Sequence, residues 1–246
     1  MAFIPGTPRN DVLDGTRHDD TILGRDGNDV LLGRGGDDFL SGGDDNDRLF
    51  GDNGHDRLRG DDGNDELHGG NGRDHLNGGD GRDRLFGDNG DDTLVTDGHD
   101  RKLDGGRGTD TLVLEGDRDH HDHHGDRDHH DHHDDDFVFD LRGVATNIEN
   151  IQQGRGDATV KLDTDFFLTA DGDVKINLDG GRDDTVKIDY DPHELDLFRQ
   201  RDGDIVFGED NGHHGHHDLN ELTLVGVEHL EINGRNYDHW LGLDWA

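Results

Sequence analysis

Asp11, Asp20, Asp29, Asp38, Asp47, Asp56, Asp65, Asp74, Asp83, Asp92 and Asp110 fall on one nine-residue frame running from Gly6 to Val113. Of twelve consecutive blocks in that frame, eleven carry Asp at the sixth position. If the blocks stack as coils, the carboxylates form rows spaced by about 4.8 Å, the distance between neighbouring strands. Rows of like charge repel strongly unless a cation sits between them. Hard, divalent calcium meets that need best, because it accepts about six to eight oxygens from carboxylates and from the carbonyls of turn backbone. The carbonyls would come from the turns holding Gly24, Gly27, Gly33, Gly42, Gly51, Gly54, Gly60, Gly63, Gly69, Gly72, Gly78, Gly81, Gly87 and Gly90.

Elements that stack must position those turns. All twelve blocks carry Ile or Leu at the eighth position: Leu13, Ile22, Leu31, Leu40, Leu49, Leu58, Leu67, Leu76, Leu85, Leu94, Leu103 and Leu112. One aliphatic residue per nine cannot be buried by its own block and needs the next coil as a lid, which is the signature of a solenoid. The last three residues of each block are read as a short strand with the middle side chain inward, and the first six as a turn. Glycine stands first in every block except the one opening at Thr96, and fourth in eight of twelve. Such tight turns need backbone conformations that glycine adopts cheaply.

Written out, the blocks include GRDGNDVLL (Gly24 to Leu32), GGDDNDRLF (Gly42 to Phe50), GDNGHDRLR (Gly51 to Arg59), GGNGRDHLN (Gly69 to Asn77) and GGDGRDRLF (Gly78 to Phe86). They resemble the GGxGxDxUx nonapeptides of the RTX calcium-binding proteins exported by type I secretion systems, and the resemblance covers Gly6 to Val113 without a break. It implies a right-handed parallel β-roll in which two blocks make one coil and calcium lies between successive turns of the same edge. One edge would then stack the turns opening at Gly15, Gly33, Gly51, Gly69, Gly87 and Gly105, and the other those at Gly6, Gly24, Gly42, Gly60, Gly78 and Thr96. Five gaps on each edge give roughly eight to ten calcium ions. Arg101 replaces the sixth-position carboxylate and Thr96 the first glycine, so the gap between the Gly78 and Thr96 turns is the weakest expectation. Arg9, His18, Asp45 and His99 stand where the fourth glycine would be.

Charge and composition agree. A net charge of −37, with 27% hydrophobic residues and 40 glycines in 246 residues, places the metal-free chain near the disordered class. Ten calcium ions would offset about twenty of those charges, and binding energy at a site absent from the unfolded chain becomes folding energy. Extracellular calcium modules have dissociation constants of roughly 0.1–1 mM, so the roll would open at cytosolic calcium and close outside. Export unfolded and folding after exit follow as expectations, with the protein secreted, extracellular or associated with the cell surface. The start MAFIPGTPRNDVLDG does not read as a signal peptide, no run reaches the apolar length of a membrane span, and cysteine is absent. The resemblance implies an uncleaved C-terminal export signal, for which HWLGLDWA (His239 to Ala246) is a candidate, and the type I secretion machinery as a partner. Strong acidity argues against nucleic acid or an anionic membrane as partner.

The organisation is read as an RTX roll over 1–113, a His/Asp-rich surface insert over 114–136 and a β-rich flank over 137–246. DRDHHDHHG (Asp117 to Gly125) and DRDHHDHHD (Asp126 to Asp134) are a near-identical tandem with no aliphatic position, so they cannot form another coil. Their His120, His121, His123, His124, His129, His130, His132 and His133, with the distant His213, His214, His216 and His217, suit zinc, copper or nickel. Beyond the insert, Val138 and Phe139, Ile148 and Ile151, Val160 and Leu162, Val174 to Leu178, Val186 and Ile188, Ile205 to Phe207, and Leu222 to Ile232 mark short strands. GRGDATVKL (Gly154 to Leu162) and GGRDDTVKI (Gly180 to Ile188) read as decayed repeats, and IENIQ and VEHLEINGRNY resemble C-terminal flanks of secreted RTX proteins. The fold class is thus all-β: a parallel roll with a solenoid-like cap, in which Phe166, Phe167, Leu168, Leu195, Leu197 and Phe198 supply large side chains.

No catalytic constellation stands out. HExxH is missing, since His193 and Glu194 lack a second histidine, and neither GxSxG nor a glycine-rich phosphate loop is present. Carboxylates are so frequent that no glycoside-cleaving pair can be singled out. The expectation is a non-enzymatic, secreted calcium-binding protein with a structural, adhesive or interaction role, facing a surface, matrix or polysaccharide partner. The alternative is a scavenger or sensor of zinc, copper or nickel on a calcium-stabilised scaffold, and a third reading is a carbohydrate-active accessory module.

Overall fold

The structure is a computed structural model, and the residues it describes are 1–115, 137–153, 158–170, 173–178, 184–189, 195–199, 205–209, 220–225 and 227–238. The fold is nearly all-β and is a parallel β-roll solenoid. Strands alternate between two sheets, so each strand pairs with the one two elements away in sequence. On one side Thr21–Asp26, Phe39–Asp44, Arg57–Gly63, His75–Gly81, Thr93–Thr96 and Thr111–Leu114 lie in parallel order, and on the other Val12–Asp14, Val30–Leu32, Arg48–Asn53, Glu66–Asn71, Arg84–Asn89 and Lys102–Asp104.

Pairing advances by eighteen residues per coil, as in Leu40↔Leu58↔Leu76 and Leu49↔Leu67↔Leu85. From Ile22 to Leu112 every eighth-position aliphatic is buried. Leu13 is only partly covered, because it belongs to the first coil and has a neighbour on one side alone. Several strands are longer than the expected three residues: Arg57–Gly63 continues through the first residues of the next block, where Asp61↔Gly79 and Asp62↔Asp80 still pair. The ladder persists there because one coil's backbone lies directly on the next.

On the outer face of the second sheet Phe50, His68 and Phe86 stack with near-parallel rings, at centroid distances of 5.2 and 4.6 Å. Arg48 and Lys102 lie over Phe50 and Phe86 at 5.4 and 5.1 Å, so cationic side chains flank the stack at both ends.

The solenoid continues beyond the repeats. Thr111–Leu114 pairs in parallel with Asn150–Gln153, which pairs with Val174–Asn177 and then Asn220–Val225. A third parallel set holds Phe137–Asp140, Ala158–Asp163, Thr185–Asp189 and His229–Ile232. Two antiparallel additions end the stack, Leu195–Arg199 on Ile205–Glu209 on Asn220–Val225, and His229–Ile232 on Arg235–Asn236 through an Asn233-Gly234 turn in left-handed conformation. Among the described residues one short helix, Thr164–Thr169, capped by Asp163 accepting from the Phe166 N–H, interrupts the nearly all-β fold. It buries Phe166 and Phe167 edge to face at 5.4 Å and so supplies part of the expected cap. The side chains of Leu168, Leu195, Leu197 and Phe198 lie outside the described set, as do residues 116–136 of the insert and the last eight residues.

Candidate metal sites along the roll edges

Each sixth-position Asp sits where the turn enters the next strand, and its two carboxylate oxygens do different things. One oxygen, Oδ1, accepts from the backbone N–H of the Asp eighteen residues earlier. The distances are 2.6 Å for Asp20 to Asp38, 2.7 Å for Asp38 to Asp56, and 2.8 Å for Asp56 to Asp74, Asp74 to Asp92 and Asp92 to Asp110. The other edge repeats this from Asp29 to Asp47, Asp47 to Asp65 and Asp65 to Asp83 at 2.7–2.8 Å. The second oxygen, Oδ2, of Asp29, Asp38, Asp47, Asp56, Asp65, Asp74, Asp83, Asp92 and Asp110 is buried and has no hydrogen-bond partner. Nine buried carboxylate oxygens without a partner on one frame are strongly unfavourable, since each unmet group costs on the order of 1–3 kcal/mol or more when charged.

The surroundings of those oxygens are built from backbone. A Cβ placed on Gly33 would meet Asp38 Oδ2 at 2.6 Å and the carbonyl oxygen of Gly51, one coil on, at 2.7 Å. Gly51 repeats the arrangement with Asp56 Oδ2 and the Gly69 carbonyl, both at 2.5 Å. Glycine at position one therefore leaves open a cradle on which a carboxylate oxygen and a carbonyl from the next coil converge. Position four has a separate requirement: Gly54, Gly72 and Gly90 adopt φ of 143, 136 and 137°, with the preceding coil's backbone where a side chain would project. Among the described residues no three His, Asp or Glu side chains converge as a metal-holding group. A cation in these cradles must draw many of its ligands from carbonyls, which suits calcium and not a side-chain-only transition-metal site.

Electrostatics agree with the geometry. Burial, reinforced by neighbouring carboxylates, raises Asp38, Asp65 and Asp74 to about 6, Asp47, Asp56 and Asp110 to about 7, and Asp92 to about 8. Burial also raises Asp29 and Asp83. Without a positive partner, burial shifts these groups toward the protonated form.

Asp11 and Asp20 differ. Thr7 donates to Asp11 Oδ2 from its N–H at 2.6 Å and its hydroxyl at 2.8 Å, and Thr16 donates to Asp20 Oδ2 from both groups at 2.7 Å. Hydrogen bonds from Thr7 lower the Asp11 pKa, and those from Thr16 and Ala2 outweigh the effect of burial to lower that of Asp20. In the first coil, threonine does what a cation would do elsewhere.

The Thr96 block also departs from expectation. Strand pairing stays in frame, with Leu85↔Leu103, but the Asp83 N–H donates to Asp100 Oδ1 at 3.2 Å. Both Arg101 and Lys102 donate to the Asp83 carbonyl, at 2.9 and 3.3 Å, a local bulge that brings the carboxylate one residue early into the row. Arg101 is exposed, and Asp100 keeps a carboxylate in the row where the sequence frame left none.

Three carboxylates that the nine-residue frame did not reveal continue the same bonding. Asp110 donates to Glu149 Oε2 at 2.7 Å, Ala158 to Asp184 Oδ1 at 2.7 Å, and Asp184 to Glu228 Oε2 at 2.9 Å. Each stands two residues before a buried aliphatic, Ile151, Val186 or Leu230, which is the signal that could have found them. The twelve histidines named above, His120 to His133 and His213 to His217, lie outside the described residues.

Stacked turns with an unpaired carboxylate oxygen beside a carbonyl cradle define a calcium-binding repeat protein. Seven overlapping stretches, 5–40, 23–58, 32–67, 41–76, 59–94, 68–101 and 77–112, match the RTX calcium-binding nonapeptide repeat. Residues 5–112 therefore belong to the RTX calcium-binding repeat family. No curated protein matches the chain.

Proposed function

We propose that this protein is a secreted calcium roll whose folding is driven by calcium outside the cell and whose role is structural, adhesive or interactive. The observation that carries the reading is the set of nine buried Oδ2 atoms without a partner. Asp29, Asp38, Asp47, Asp56, Asp65, Asp74, Asp83, Asp92 and Asp110 would hold the ions together with carbonyls of the glycine turns. Bound there, calcium supplies two positive charges and about six to eight oxygen coordination positions per ion. The chain's own part is to keep one carboxylate oxygen anchored on a neighbouring coil's N–H while presenting the other to the ion. Asp11 and Asp20 lie outside this set because threonine occupies their second oxygen. One ion per free oxygen gives nine, within the roughly eight to ten that stacking implies.

Secretion by a type I system, and contact with a surface, matrix or polysaccharide, rest on the RTX resemblance and on the net charge of −37. No helix among the described residues is long and apolar enough to cross a membrane. A second reading, capture of zinc, copper or nickel, rests on the tandem DRDHHDHH units and the HHGHH at 213–217.

Isothermal titration of chelated protein tests the calcium reading. About nine ions should bind with midpoints of roughly 0.1–1 mM. Uptake of two or fewer would refute it. Zinc titration in saturating calcium, on wild type and on a variant lacking residues 117–134, decides the second reading by whether binding disappears with the deletion.

A further inference from the structure

The repeat match ends at residue 112, and the stack continues with Ala145–Thr146 on Lys102–Asp104 and Asn150–Gln153 on Thr111–Leu114. We infer that the last of these calcium sites, that of Asp110, lies across this junction and is completed by Glu149 and the Asn147 carbonyl from beyond the insert. The inference deepens the calcium reading and rests on it.

The junction reproduces the parts of a regular site with substitute residues. Asp110 is fully buried, and its Oδ2 has no partner. A Cβ on Gly105 would meet that oxygen at 2.6 Å and would also run into the carbonyl of Asn147, which stands where the next coil's first glycine stands elsewhere. Asn147 has a φ of 53°, whereas the first glycines of the repeats are not in the left-handed region, so the likeness lies in where its carbonyl is placed. Glu149 replaces the sixth-position Asp: its Oε2 accepts from the Asp110 N–H at 2.7 Å, and it is itself buried. Both Glu149 and Asn150 donate their N–H groups to the Asp110 carbonyl, at 3.2 and 2.9 Å, and this bulge makes room for the extra methylene. Two buried carboxylates and a carbonyl therefore face one another across 39 residues of sequence.

An ion held there does more than neutralise Asp110. It ties the first coil after the insert to the last repeat, so the flank at 137–153 closes onto the roll when calcium binds and loosens when it leaves.

The test uses the full chain as wild type, Glu149→Gln, Glu149→Asp and Asp65→Asn, with calcium counted by equilibrium dialysis and backbone protection followed by hydrogen exchange. Glu149→Gln should bind one ion fewer than wild type and lose calcium-dependent protection at Asn150–Gln153, while Arg57–Gly63 stays protected. Glu149→Asp, which keeps the charge, should restore at least part of that protection. A wild-type count and wild-type protection in Glu149→Gln, with Asp65→Asn losing an ion, would overturn the junction site alone. Unchanged counts in both Glu149→Gln and Asp65→Asn would overturn the calcium reading of the whole roll.

Discussion

The Thr16 hydroxyl donates to Asp20 Oδ2 at 2.7 Å, at the very position where nine later carboxylates have an unpaired oxygen. In the first coil hydrogen bonds from threonine meet the oxygens that stay unpaired in the later coils. Thr16→Val should therefore lower stability by about 0.5–1.5 kcal/mol, the usual worth of one hydrogen bond, without changing the number of calcium ions bound. Thermal melts in saturating calcium, paired with ion counting, check both halves.

Within the roll the relation is reversed. Asp65→Ala and Asp74→Ala each delete a carboxylate on opposite edges and leave the N–H of Asp47 or Asp56 without its acceptor. Each should lose at least one bound ion, and the orphaned buried donor alone should cost about 1–3 kcal/mol. Arg101→Ala should leave the calcium count unchanged, because the Arg101 side chain is exposed and Asp100 holds the place in the row. Equilibrium dialysis on the three variants separates these outcomes.

Protons should compete with calcium, and the direction follows from the raised carboxylates. Asp38, Asp47, Asp56, Asp92 and Asp110 bind protons more tightly in the metal-free fold, at about 6 to 8, than near 3.8 in an unfolded chain. Their contribution to the metal-free fold is full below about pH 4 and is lost as pH rises through 6 to 8. Chelated protein should thus hold more β-structure at pH 5 than at pH 8. Calcium affinity should change oppositely, weakening as pH falls from 8 to 5. Titrations by circular dichroism at the two pH values, with and without chelator, test the sign.

Gly54 illustrates the backbone requirement. Its φ is 143°, and an added Cβ would run into the carbonyl of Gly36 on the preceding coil. Gly54→Ala should destabilise the calcium-loaded roll by about 1–3 kcal/mol, beyond the small gain that Gly to Ala brings at compatible sites. A denaturant melt in saturating calcium measures it.

Much of this molecule was legible in its sequence, because a fixed frame of nine puts the same residue in the same environment each time. Leu40, Leu58 and Leu76 had to stack on one another, and Asp38, Asp56 and Asp74 had to share an edge. The frame misled where the chain slips against it. Counting by nines assigns Arg101 to the row, whereas a bulge delivers Asp100. It also could not reach Glu149, because the insert stretches the step from 18 residues to 39, or Glu228, which lies 44 residues from Asp184. Thr7 and Thr16 were visible as residues, but their meaning depends on a carboxylate four positions on turning back to meet them. The Phe50, His68 and Phe86 stack likewise follows from their common ninth position once the coil is known.

The central claim is that cations between the carboxylate rows hold the coils together. Far-ultraviolet circular dichroism of the full chain, first in chelator at pH 7.5 and then through a calcium titration, tests it most directly. A weakly structured spectrum that gains β signal cooperatively as calcium reaches roughly 0.1–1 mM is the predicted result. Full β signal in chelator, unchanged by added calcium, would contradict it.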